Sequence, residues 1–233
     1  MRFVEPGTPN DFELVPSLAV MGPTPVWVKN ERYNPIRIDG EAVSVVKLVS
    51  ELAEEFGPVH YIDILGIRKG VVDWDVFRDA VEKSDRIWAD MGVIFSDGLI
   101  DVIMAGAQEV VVTTKMIDSL EEIVSSFELT ENLILQIDYD GSVVSRDRNI
   151  RKMSPGQLVE ELVSFGMDMF VLDDIREGRS SIDREFLDQV IEKLPEGGKV
   201  FAGIEDLREM GKLAEAGLSG AIISCSKLLE GIG

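Results

Sequence analysis

Short apolar runs, most of them β-branched, alternate with stretches of helical spacing along almost the whole chain. No other feature constrains the fold as tightly. The runs span residues 14–20, 61–65, 87–91, 110–113, 133–138, 169–173, 200–202 and 221–224. Most are continuous in apolar residues rather than alternating, the pattern of parallel strands covered on both faces. Between them lie helical series such as Ala42, Val45, Val46, Leu48, Val49 and Leu52, or Leu158, Leu162 and Val163. Asp75, Ser96, Ser154 and Asp183 stand where such helices would start or make their first turn. Eight strands alternating with about as many helices predict an α/β fold of the (β/α)8 TIM-barrel kind. The alternative is an open doubly wound sheet. It loses weight because neither G-x-G-x-x-G nor G-x-x-x-x-G-K-[ST] occurs to mark a nucleotide crevice.

An internal repeat sharpens the expectation. Shifting the chain by 111 residues places Gly92 on Gly203, Ala105-Gly106 on Ala216-Gly217, Val110-Val111-Val112 on Ala221-Ile222-Ile223, and Thr113 on Ser224. Nearby offsets bring Arg68 and Gly70 onto Arg176 and Gly178, Phe77 onto Phe186, and Gly22 onto Gly141. The chain therefore reads as a single domain over 1–233, built from two (βα)4 half-barrels at about 14–128 and 129–233. A half-barrel exposes strand edges that it cannot cover, and two copies closing on each other remove them.

Charge and rare residues narrow the function. With 23 Lys+Arg against 43 Asp+Glu the formal charge is −20, which repels nucleic acid and anionic membrane surfaces. The acidic excess has bland readings, solubility or surface ion pairs, beside the sharper one of a surface made for a basic partner. The single Cys225 excludes an internal disulfide and a cysteine ligand cluster, and the single His60 excludes a multi-histidine metal site. Residues 1–9 carry no charged and apolar leader pattern, and no run reaches the roughly 18 apolar residues that span a bilayer. A cytoplasmic protein is expected, acting on a small molecule, with a homo-oligomer left open.

Several segments together resemble a known family. They are Val15-Pro16-Ser17-Leu18, His60-Tyr61-Ile62-Asp63, Leu135-Gln136-Ile137-Asp138, the loop Asp174-Ile175-Arg176-Glu177-Gly178, and Gly217-x-x-Gly220-Ala221-Ile222-Ile223 running into Leu228-Leu229-Glu230-Gly231. The chain resembles the HisA/HisF superfamily of histidine biosynthesis from about Leu14 to Gly231, with spacing closer to the ribotide isomerase than to the cyclase. It looks most like the divergent HisA/HisF-related branch of methanogens and methylotrophs. The resemblance implies an isomerase of the aldose–ketose type acting on a phosphorylated ribotide or a related small metabolite. It implies general acid and base carboxylates for an Amadori rearrangement, one from the first strand and one from the second half, and glycine-rich clamps for the substrate's phosphates. On that basis Asp138 and Asp174 are the candidate catalytic residues, and no cofactor is implied. The first strand departs from the family, with Ala19 where its aspartate would stand. So do the clamps, which read Ala89-Asp90-Met91-Gly92 and Ala202-Gly203-Ile204-Glu205.

The residues add their own chemistry. Strand ends converge at the C-terminal face of such a barrel, so Asp63, Asp90, Asp138, Asp140, Asp173 and Asp174 are expected there with Arg68, Lys115 and Arg176. Partial burial beside other carboxylates would raise the pKa of Asp138, or Asp138 is simply an acceptor for loop amides. Asp174 either relays a second proton or pairs with Arg176, and Asp63 faces the same choice with Arg68. Candidate phosphate-binding residues are Gly92, Thr113, Thr114, Lys115 and Arg176, with Gly203, Ser224 and Cys225. Glu205 and Asp206 oppose a dianion there. Cys225 is expected to open a last helix, where the dipole would lower its thiol pKa unless it is buried. The acids suit Mg²⁺ as hard ligands, but no spacing motif gathers them to a point, and no metal is assigned. His60 is expected toward the opposite, stability face. Two further readings stay open: an enzyme of one-carbon carrier (methanopterin-type) synthesis, and a barrel that has lost catalysis and serves as a binding scaffold.

Overall fold

The computed structural model describes residues 3, 12–29, 32–84, 86–176 and 182–229. Residues 1–9 apart from Phe3, and the motif residues Glu177, Gly178, Glu230 and Gly231, lie outside that set. In chain order the elements are β1 (Glu13–Met21), the hairpin β2 (Thr24–Lys29) and β3 (Arg32–Pro35), the small hairpin β4 (Arg37–Ile38) and β5 (Glu41–Ala42), and α1 (Val45–Phe56). Then come β6 (Val59–Asp63), α2 (Ile64–Lys69), α3 (Trp74–Val81), β7 (Ile87–Asp90), α4 (Gly98–Met104), β8 (Glu109–Thr113) and α5 (Leu120–Leu129). The second half holds β9 (Leu133–Tyr139), α6 (Pro155–Ser164), β10 (Met169–Asp174), α7 (Arg184–Ile191), β11 (Lys199–Ile204), α8 (Met210–Glu215) and β12 (Gly220–Ser224).

Parallel pairing runs from β1 through β6, β7, β8, β9, β10, β11 and β12, and β12 pairs back onto β1. The sheet is a closed (β/α)8 barrel. At the seam Glu13 lies opposite Gly220, where a Cβ would strike the Glu13 carbonyl and, at 2.6 Å, the Phe201 ring. Only glycine lets the edges meet.

Two cores follow from strand alternation. Val15, Trp88, Val111, Ile134, Val171, Phe201 and Ile222 fill the barrel, with Trp88 edge-on to Phe201 at 4.9 Å. The opposite faces, including Leu18, Tyr61, Leu135, Phe170 and Leu172, pack against the helices. Phe77 on α3 and Phe186 on α7 are both fully buried there, each contributing about 2–3 kcal/mol of burial. Local chemistry sets the helix ends. Ser44 accepts Lys47 N–H at 3.2 Å, and Ser154 forms a capping box with Gln157. Asp183 accepts the amides of Glu185 and Phe186. Asp73 caps α3 and Asp75 lies in its first turn, while Ser96 makes no cap and gives its N–H to Glu122 at 2.6 Å.

The repeat survives in the backbone. Gly22 and Gly141, each in the turn after the first strand of its half, have φ of 57° and 76°. Gly106 and Gly217, leading into β8 and β12, have φ of 104° and 91°.

Three expectations need correction. The two hairpins after β1 replace the start of the expected helix, so Ala42 ends β5 and α1 begins at Val45. The second barrel strand runs two residues earlier than expected, because Asp63 caps α2 and ends it. Among the described residues only a short 3-10 turn, Cys225–Lys227, follows β12 in place of the expected last helix.

Candidate active site

Side chains on the barrel side of the strands, near their C-terminal ends, enclose a cavity of about 220 Å³. Its lining is Ser17, His60, Ile62, Asp90, Gln136, Val171, Asp173, Gly203, Ile204, Glu205, Ile222 and Ser224. Registers explain the grouping: Ser17 lies opposite both His60 and Ser224, Ile62 opposite Asp90, and Asp173 opposite Asp138.

Two buried carboxylates form the electrostatic centre. Asp138 is 1% exposed and accepts Lys115 N–H at 3.1 Å, Gln136 Nε2–H at 3.0 Å and the Thr114 hydroxyl at 3.4 Å. Burial raises its pKa, while these donors and the Lys115 charge pull it back. Asp90 is 5% exposed and accepts Gly92 N–H at 3.1 Å. Burial, and then the Asp138 charge, push Asp90 to about 7, against the pull of Gly92 and Lys115. Asp138, with three hydrogen-bond donors, holds the negative charge, and Asp90, with one, holds the proton more firmly. At neutral pH Asp90 populates both protonation states.

His60 stands apart from its expected place. It projects into the barrel and lines the cavity, 3% exposed. Neither ring nitrogen has a hydrogen-bond partner, and burial lowers its pKa to about 4. The imidazole is neutral at pH 7.

Of the two readings of Asp174, the pairing with Arg176 is the one seen. Asp174 is absent from the cavity lining. It pairs with Arg176 through two contacts, at 2.7 and 2.9 Å, and accepts the Asp183 amide at 3.0 Å. Burial opposes its charge, but the Arg176 and Asp183 hydrogen bonds outweigh it and lower the pKa. Asp174 therefore ties Arg176 and Asp183 to the end of β10. Its counterpart 111 residues earlier, Asp63, does the same after β6 by accepting Gly66 N–H at 2.7 Å. That pairing within the repeat is the sequence signal for its role. Arg176 is likewise committed, to Asp174, to Asp183 at 3.1 Å and to the Tyr139 ring.

The phosphate candidates do not gather into one cradle. The Gly92 and Lys115 amides point at Asp90 and Asp138, and Thr114 exchanges hydrogen bonds with Asp138. Thr113 is buried with an unpartnered hydroxyl. Gly203 and Ser224 do line the cavity, and the Ser224 hydroxyl lies 2.9 Å from that of Ser226. Cys225 is buried, and burial pushes its thiol up to about 12, opposite to the dipole expectation. Glu205 lines the cavity, whereas Asp206 pairs with Arg208. No three His, Cys, Asp or Glu side chains among the described residues are placed to share a metal ion.

The closed barrel with its acids at the C-terminal mouth defines a (β/α)8 protein of enzyme architecture. The family model described as Histidine biosynthesis protein matches residues 13–231, and the chain belongs to that family, the HisA/HisF barrels. No match is found among curated proteins. Among the described residues no helix is long and apolar enough to cross a membrane.

Proposed function

We propose that this barrel is an acid–base isomerase of the aldose–ketose type, working at its C-terminal mouth on a small metabolite. The observation that carries the reading is the coupled pair of buried carboxylates, in which Asp90 lines the cavity with a pKa of about 7. A group balanced near the working pH serves best for giving and taking a proton. Asp90 is assigned the proton transfers; burial keeps it protonatable, and the Asp138 charge adds to that effect. An Amadori rearrangement asks for these properties. A proton given to the ring oxygen opens an aminoaldose to an iminium ion. Loss of the proton from the neighbouring carbon then yields an enaminol, which becomes the aminoketose when carbon takes a proton back. The carboxylates around the cavity favour the cationic intermediate. Ala19, which lies opposite Ile62 beside the site, carries no proton, so Asp90 takes over the part that the family gives to its first strand.

The reading is tested by incubating the purified chain in deuterated water with the isomerase's ribotide substrate and with a panel of aminoaldoses. Deuterium entering the carbon next to the new carbonyl, and lost in Asp90→Asn, supports it. No exchange and no turnover with any of these compounds overturns it.

A further inference from the structure

Ser17 and Gln136 are counterparts in the two halves of the chain. The 119-residue offset that sets Ala19 on Asp138 and Gly22 on Gly141 also sets Ser17 on Gln136. We propose that these two side chains are the paired anchors of a small hydroxylated ligand, each holding one of its ends, so that its middle lies against Asp90. This rests on the acid–base reading of the same cavity and adds which ligand it takes and how that ligand lies.

Barrel order sets the distances that matter. β1 and β9, the first strands of the two halves, are four places apart in the closed ring of eight and so stand on opposite sides of it. β7 is midway, two places from either. Ser17, Gln136 and Asp90 all line the cavity. A molecule that spans it from Ser17 to Gln136 therefore carries its central atoms past the carboxylate. The volume agrees, because about 220 Å³ lies below the roughly 300–1,000 Å³ of drug-sized sites and suits a body of about five carbons.

Each anchor has a hydrogen-bonding atom to spare. Gln136 Nε2 donates to Asp138 Oδ1 at 3.0 Å and to Asp173 Oδ2 at 3.5 Å. A carboxylate only accepts, so the network fixes the amide nitrogen on that side and leaves Oε1 as the free acceptor. Among the described residues no group donates to Gln136 Oε1 and none bonds Ser17 Oγ, yet neither atom is sealed from solvent. The His60 nitrogens and the Thr113 hydroxyl, by contrast, are closed off and take no part. Ser224, opposite Ser17 in the register, places a second hydroxyl at that end of the cavity. Because Oε1 only accepts, the ligand end that meets it must carry a polar hydrogen, whereas the serine hydroxyls give or take one. Uncharged anchors at both ends suit hydroxyl groups, as an alditol or an open-chain aldose presents them.

The test titrates ribitol, which has a hydroxyl on each terminal carbon, and 1,5-dideoxyribitol, which lacks both, into the isotope-labelled full chain at pH 7, followed by NMR. Ribitol is expected to move the Gln136 side-chain amide resonances to saturation and to bind about tenfold more tightly than the dideoxy compound, the worth of two hydrogen bonds. Ser17→Ala and Gln136→Met are each expected to weaken ribitol about threefold and to leave 1,5-dideoxyribitol unchanged, a split that a general loosening of the mouth would not give. Should Gln136→Met fail to fold, the Gln136 resonances of the parent and the Ser17→Ala comparison decide. No ribitol binding, equal binding of the two alditols, an unmoved Gln136 amide, or variants that weaken both compounds alike overturns the proposal. Ribitol binding of the expected kind without isomerisation of any aminoaldose sinks only the isomerase reading. Isomerisation with a KM indifferent to both substitutions sinks only this one.

Discussion

The backbone N–H of Lys115 donates to Asp138 Oδ2 at 3.1 Å, so an amide at the end of β8 serves a carboxylate of the protein. With Thr114 and Gln136 it supports the Asp138 charge, and that charge in turn raises Asp90. Asp138→Asn removes the like charge while keeping the shape. The Asp90 midpoint is then expected to fall from about 7, by about one unit, or 1.4 kcal/mol. A carboxyl-resolved NMR titration measures it, and an unmoved midpoint would show that the two acids are not coupled.

Asp90→Asn separates activity from stability. Loss of the proton carrier is expected to lower kcat by about 10²–10⁴-fold. Stability should move the other way. Between the ordinary carboxylate value of 3.8 and about 7 the folded chain holds a proton that the unfolded chain has released. Stability of the parent therefore falls as pH rises across this window, by about 4 kcal/mol at most. Asparagine has no such titration and can still accept the Gly92 N–H. Urea unfolding should find the variant more stable than the parent at pH 8 and level with it near pH 4.

His60 works in the opposite direction. Its folded value of about 4 lies below the ordinary 6.5. As pH falls from 6.5 to 4 the unfolded chain takes up a proton that the folded chain refuses, so stability declines by about 3 kcal/mol. His60→Phe removes this acid-side decline and also the unpartnered nitrogens. Because Asp90 acts in the opposite sense over the same range, the variant is compared with the parent at each pH, and its gain in stability is expected to be about 2 kcal/mol larger at pH 4.5 than at pH 7. An equal gain at both pH values would place the titration elsewhere.

Legibility from sequence followed the physics of each feature. Barrel strands were readable because burial on both faces makes them continuous apolar runs, and the observed ends lie within two residues of the expected ones. The hairpins after β1 were not read. Asp39 and Gly40, with φ of 51° and 81°, form the tight turn between β4 and β5, and that Asp-Gly pair was the available signal. His60 is expected at the wrong end of the barrel because the second strand reads two residues late, at 61–65 instead of Val59–Asp63, which puts His60 before the strand rather than inside it. Asp90 is expected at the C-terminal face but not as a catalytic acid, because its coupling to Asp138 runs between separate strands and leaves no local spacing.

Gly92 tests whether a clamp glycine is kept for a ligand or for packing. A Cβ there would lie 2.5 Å from Ile67 Cα, and the backbone has φ of 71°. Gly141 shares the positive φ, at 76°, but has open space around it. Gly141→Ala therefore suffers only backbone strain, about 1–2 kcal/mol. Gly92→Ala adds a collision with the α2 backbone, which no rotamer change relieves, and is expected to cost about 3 kcal/mol or more. Denaturant midpoints of the two variants give the difference directly. A Gly92→Ala protein as stable as Gly141→Ala would mean that α2 shifts freely, and the mouth would then be looser than the hydrogen bond from Gly92 to Asp90 requires.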